Sequence, residues 1–155
     1  TIEDSQKLGI ARKKHLLTDF SKNPWRTCKI IALSDRQHFT EEENELFNAM
    51  TTYIPMKFKE FDESIQDILM ETTNTMSKGM KKYLRQTTVK TTEEYKEYCY
   101  YVAGTVGEGL TQIFETAGVQ SSGSLVGSVE MGTLLQMVNI IRDVHEDYEN
   151  QERIF

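Results

Sequence analysis

Apolar residues along most of the chain recur at three- and four-residue steps, the period of a helix with one buried face. The clearest case is Phe58, Phe61, Ile65, Ile68 and Leu69, which predicts a long helix from Met56 to about Gln86. An opening helix is expected over Thr1 to Phe20, stopping at "SKNPW", where Asn23 and Pro24 break it. Arg26 to Phe39 is ambiguous, since "CKIIAL" suits a short helix or a strand. Thr40 followed by Glu43 makes a capping box. It opens a helix through "EEENELFNAMTTY" that should end near Pro55. Thr91 and Glu94 repeat the pattern before a helix reaching about Thr116. "AGVQSSGSLVG" is rich in glycine and serine and reads as a loop. A last helix runs from about Leu125 to Tyr148. The fold class expected is all-α, a single packed bundle forming one domain over residues 1–155.

Composition narrows this reading little. The chain has 155 residues, 38% hydrophobic and 27% charged, enough for a real core in an ordinary globular protein. A net charge of −6 argues against a nucleic-acid partner, which needs a clustered basic surface. It leaves room for an anionic substrate, because a divalent metal can stand between carboxylates and phosphates. Cys28 and Cys99 have no metal or redox spacing and read as free thiols in a reducing compartment. No stretch approaches the roughly 18 apolar residues of a membrane span. The abrupt start at "TIED" and end at "QERIF" read as an internal fragment.

The last helix carries the chemistry. Asp143 and Asp147 stand one turn apart with Glu146 on the same face, and steps of three and four lead back to Asn139, Gln136 and Gly132. Leu134, Leu135, Met137, Val138, Ile140, Ile141 and Val144 surround that polar stripe. A helix so apolar should be buried, with the stripe facing a polar partner or a wet cavity. Arg142 can reach Glu146, but Asp143 and Asp147 have no lysine or arginine three or four residues away. A hard cation such as Mg²⁺ would take such carboxylates and leave positions for substrate phosphates. A solvated helix end is the plainer alternative. Glu3 and Asp4 form a second acidic pair; alone, they would favour a helix start by its dipole.

Two further segments bear on a cavity. In "YCYYVAGTVGEGL", Tyr98, Val102, Val106 and Leu110 step along one side of a helix, interleaved with Ala103, Gly104, Gly107 and Gly109. Interior glycines cost a helix about 0.5–1 kcal/mol each. They imply a kink or close approach, either tight helix packing or the wall of an apolar tunnel. In "METTNTMSKGMKKY", Met76, Met80 and Tyr83 share a face, as core or as lining for a flexible hydrocarbon. His15, His38 and His145 read as surface residues.

Taken in order, "TIED", "MSKGM", "YCYYVAG" and "LLQMVNIIRDVHED" resemble the squalene synthase and phytoene synthase superfamily over essentially the whole chain. "TIED" and "MSKGM" lean towards squalene synthases, "AGTVGE" and "RDVHEDYENQERIF" towards phytoene and dehydrosqualene synthases. The resemblance implies an all-α bundle around a hydrophobic cavity with acidic motifs at its mouth. It implies Mg²⁺-dependent head-to-head condensation of two farnesyl diphosphates through presqualene diphosphate, then NADPH reduction to squalene. Dehydrosqualene or phytoene synthesis is the alternative product. By motif position, Glu3, Asp4, Asp143, Glu146 and Asp147 would hold metal and diphosphate, and Tyr98 would be the catalytic tyrosine. Gln136, Asn139 and Arg142 would face the substrate, with Val102, Val106, Leu110, Met76 and Met80 along its chain.

A monomer is implied, in the cytoplasm or at the cytoplasmic face of a membrane (the endoplasmic reticulum in a eukaryote), with peripheral membrane association suiting the apolar product. The departures are specific. The first aspartate of the opening motif would precede Thr1, and Ser5 stands where many squalene synthases carry an acid. The family's arginine segment and everything beyond the second motif are missing, so this stretch is expected to hold part of the cavity and to be inactive alone. The competing classes are a non-catalytic helical interaction domain and a chain-elongating prenyl transferase or terpene cyclase; "YCYYVAG" argues against the last two.

Overall fold

The structure, a computed structural model, describes residues 2–3, 5, 7–85, 89–119 and 125–149, without the side chains of 146 and 147. Among these residues every regular element is helical: α1 (Ile10–Phe20), α2 (Pro24–Ile30), α3 (Glu41–Phe58), α4 (Glu63–Tyr83), α5 (Thr92–Cys99), α6 (Thr105–Thr116) and α7 (Leu125–Glu149). They fall into two compact units, Thr1–Leu84 and Arg85–Phe155.

In the first unit the local signals act mostly as expected. Pro24 opens α2, and the Asn23 side chain accepts from the Arg26 amide. The ambiguous segment is helical throughout: α2 widens into a π-helical turn, Ile31–Asp35, and tightens into a 3₁₀ turn, Arg36–His38. Thr40 and Glu43 close their capping box, a motif whose cap alone contributes about 1 kcal/mol.

Three boundaries differ from expectation. Helix α1 starts only after Gly9, whose extended backbone (ψ 148°) serves as its N-cap. The Ser5 hydroxyl donates to the His38 carbonyl, and the Lys13 ammonium donates to the Glu3 carbonyl at 2.5 Å. These tertiary bonds tie down the opening segment in place of helix. Pro55 does not end α3, which runs on to Phe58; one lost backbone bond in the last turn is tolerable. The long helix expected from Met56 is instead split by a turn before Asp62, the N-cap of α4.

Helix α1 packs on α2 and α4, and α2 packs on α3. Their apolar faces meet in a core of Leu8, Leu16, Leu17, Cys28, Ile31, Phe39 and Phe47. Phe39 and Phe47 stack edge to face with centroids 4.9 Å apart. Arg12 forks onto the buried Asp35 across this unit, with Nη2 2.5 Å from Oδ2. That pairing offsets the cost of burying a carboxylate.

The second unit packs on small residues. Thr91 accepts from the Glu94 amide, while the Glu94 carboxylate takes the Lys90 amide. Between α5 and α6 the helix passes through a π-helical turn, Tyr100–Gly104. A Cβ on Gly107 would stand 2.3 Å from the Ser128 carbonyl oxygen, and one on Gly132 2.5 Å from that of Ala103. The glycines thus serve close approach of α6 and the π turn to α7. Thr111 donates to Ser128 at 2.7 Å across the same seam.

Helix α7 corrects the expectation of burial. Its covered side carries Gly132, Thr133 and Ile140, while Leu134, Leu135, Val138 and Ile141 are exposed, Ile141 to 70%. Backbone-close packing selects the small residues, and the bulky ones are turned outward.

Candidate active site

The expected site residues fall into two groups, one in each unit. In the first unit an apolar cavity of about 380 Å³ is lined from α1, α2, α3 and α4, with Met76 and Met80 on its wall. Glu3 lies at the same cavity and is 7% exposed. Glu3 of the first acidic pair is thus brought to this cavity. Asp4 lies outside the described residues.

Sequence periodicity missed other lining residues. Leu17, Cys28 and Phe47 are not among the residues expected to line a cavity, yet each faces it. Burial pushes the Cys28 thiol up to about 11, so it presents a neutral SH. No local signal could have separated core from cavity lining, since both ask for the same residue types.

In the second unit, Gln136, Asn139 and Asp143 are half-buried on α7. The polar stripe is therefore on the better-covered half of that helix. Asp143 is not left without a local partner. The adjacent Arg142 forks onto it, with Nε 2.6 Å from Oδ1 and Nη2 2.9 Å from Oδ2, and holds its carboxyl below the usual range. The expectation considered only positions three and four away; a long arginine can fold back onto its neighbour. Glu146 and Asp147 lie on α7 one turn beyond Asp143, with side chains outside the description. Asp143 and Asp147 hold the i, i+4 relation that puts both on one face.

Tyr98 is half-buried in the last turn of α5, beside the fully buried Cys99. One turn earlier, Tyr95 donates to the Met137 carbonyl at 3.0 Å. This bond sets α5 alongside the stretch of α7 that carries Gln136 and Asn139. Tyr100 donates to Glu108 at 3.0 Å, bracing the π turn, and its own ionisation is pushed up by burial and then by that bond. Val102 is half-buried, whereas Val106 and Leu110 are 40% and 48% exposed. His145 is exposed and lies 3.4 Å from Glu149. Among the described residues no three histidine, cysteine or acidic side chains are gathered as a preformed metal cage. No described helix is long and apolar enough to cross a membrane.

The family model described as squalene/phytoene synthase matches residues 6–155. The chain belongs to the squalene/phytoene synthase family. Its family relatives include a probable squalene synthase from Neurospora crassa, 34% identical, covering 100% of this chain and 33% of that protein. Squalene synthase ERG9 of Gibberella zeae is 33% identical, covering 99% of this chain and 34% of its own. The chain therefore spans about a third of the length of the curated relatives it matches. A solved structure described as TcSQS in complex with the ligand E5700 superposes with a TM-score of 0.76 at 27% identity, covering 100% of this chain and 45% of that one. The all-α isoprenoid synthase fold expected from the sequence is the fold of these squalene/phytoene synthase neighbours.

Proposed function

We propose that this chain supplies part of the active site of a squalene synthase, which joins two farnesyl diphosphates head to head. The observation that carries the reading is an apolar cavity with a buried carboxylate, Glu3, at its wall, in a member of this family. Such a cavity suits a hydrocarbon chain attached to a charged head. Met76 and Met80 would hold the chain, since unbranched thioethers adapt to a flexible ligand. Excluding water there protects cationic species from premature capture.

The carboxylates fit Mg²⁺ by donor chemistry, being hard oxygen ligands, two of them one turn apart on α7. On α7, Asp143 and Asp147 would hold it with Glu146 contributing; Glu3 and Asp4, by motif position, would be metal ligands in the first unit. Bound there, Mg²⁺ would neutralise diphosphate charge and assist its departure. Asp143 would give up its fork with Arg142, freeing the guanidinium to take a diphosphate oxygen bidentately. Gln136 and Asn139, half-buried on the same helix, would orient the head group. The Tyr98 hydroxyl would hold or accept a proton beside them. Condensation would pass through presqualene diphosphate, with NADPH as reductant for squalene; no residue of this chain is assigned to NADPH. A monomer at a cytoplasmic membrane face completes the proposal.

The test is product identification with the whole protein, farnesyl diphosphate and Mg²⁺. Squalene formed only with NADPH is expected. Dehydrosqualene formed regardless of NADPH would move the chain to the carotenoid branch, and no condensation would sink the reading.

A further inference from the structure

The helix that carries Tyr98 is not continuous α-helix. In the π-helical turn Tyr100–Gly104 the Thr105 amide bonds to the Tyr100 carbonyl, five residues back. An α-helix would have paired that amide with the Tyr101 carbonyl. Here the Tyr101 carbonyl accepts from the Thr105 hydroxyl instead, at 3.1 Å. Thr105 is buried, so the displaced carbonyl is satisfied from within the helix.

The extra residue changes which side chains share a face. Eight residues of α-helix leave their ends about 80° apart around the axis. A π turn adds one residue to a turn, so the same eight count as seven and the ends fall within about 20°. Tyr100 and Glu108 are separated in this way, and the Tyr100 hydroxyl donates to the Glu108 carboxylate at 3.0 Å. The Tyr100 ring passes over Gly104, where a Cβ would stand 2.8 Å from Cδ2. Tyr98 stands eight residues before Val106 and twelve before Leu110. In unbroken α-helix they would lie about 80° and 120° away from Tyr98; across the π turn both come within about 20°.

Both ends of this segment are fixed to α7. Tyr95 donates to the Met137 carbonyl. At the other end Gly104 lies against Thr133, whose Oγ1 would be 2.9 Å from an added Cβ. Between those anchors, the register of the turn sets how Tyr98 is rotated relative to α6.

We propose that the Tyr100–Glu108 hydrogen bond holds this register and keeps Tyr98 in line with Val106 and Leu110, which makes Glu108 a positioning residue. This rests on the reading of Tyr98 as the catalytic tyrosine beside the substrate chain. Without the bond the turn can relax towards α-helix, rotating Tyr98 by up to about 100° relative to α6. A reacting group misplaced by about 1 Å can cost about a hundredfold in rate. Diphosphate binding by the acidic face of α7 does not depend on that rotation.

Hydrogen exchange in the whole protein reads the turn, and kinetics with farnesyl diphosphate, Mg²⁺ and NADPH reads its consequence. Tyr100→Phe and Glu108→Leu should each speed amide exchange over Tyr100–Thr105 about tenfold. Each should also lower kcat about tenfold or more with KM near native. Glu108→Gln keeps an acceptor oxygen and should restore both readouts. Unchanged exchange in Glu108→Leu, or faster exchange with native kcat, would overturn the proposal. So would a Glu108→Gln variant no better than Glu108→Leu, or a KM that worsens as much as kcat. Should Glu108→Leu fail to fold, Tyr100→Phe decides, since it removes the same bond and keeps the ring over Gly104. If exchange follows these expectations but the native protein forms no condensation product, the hold on the turn stands and the proposed function falls.

Discussion

At the scale of single residues, Arg142 is the one whose role the structure changes most. The fork onto Asp143 keeps that carboxylate charged without any ligand. It also puts a cation beside the place where the proposal needs a diphosphate. Asp143→Asn and Asp147→Asn in the whole protein should each abolish turnover while circular dichroism shows unchanged helicity; turnover retained in either removes the metal assignment. Tyr98→Phe should slow product formation at least tenfold while leaving diphosphate affinity near native, since only the hydroxyl is lost. Equal loss of both would make Tyr98 a packing residue, held by its neighbour Cys99 in the core.

At the scale of elements, glycines decide how α6 and α7 meet. The Cβ of Gly107→Ala would collide with the Ser128 carbonyl, a backbone atom that cannot move without the helix. Forcing the helices apart should cost about 1–3 kcal/mol or more. Gly127→Ala, with nothing within 4 Å of its Cβ, should instead stabilise α7 by roughly 0.5–1 kcal/mol. Urea unfolding of the two variants checks this pair. Similar midpoints for both would mean that the close approach is not what holds the seam.

These elements were legible to different degrees. The capping boxes at Thr40 and Thr91 were readable because a cap is made within four residues. The late start of α1 was not, because Ser5 and Lys13 hold the opening segment through partners far along the chain or outside any local motif. The split before α4 and the continuation of α3 through Pro55 came from turns that compete weakly with a shared apolar period.

At the scale of the whole molecule, each unit buries one cysteine, and burial pushes both thiols up, from 9.0 to about 11. In the unfolded chain these thiols ionise near 9, whereas in the folded protein they stay protonated. The stability they contribute is complete below pH 9 and lost as pH rises through 9 to 11. For Cys28, 1% exposed, the loss would approach about 3 kcal/mol, from two units at 1.36 kcal/mol each. Thermal midpoints should therefore fall over that range in the native protein and fall less in Cys28→Ala. An identical decline in both would assign the effect elsewhere. The exposed apolar side of α7, including Leu134, Leu135, Val138 and Ile141, is a second property of this scale.

The sequence by itself determined the helical class, the caps and the family, because period, cap chemistry and ordered motifs are properties of near neighbours along a chain. It also placed the acidic stripe, since residues three and four apart on any helix share a face. Only the tertiary structure decided which side of α7 is covered, and that Glu3, Met76 and Met80 meet at one cavity. Those outcomes depend on what packs opposite a side chain. Core and cavity call for the same apolar residues, so only the helices' relative positions distinguish a filled interior from one with room for a ligand.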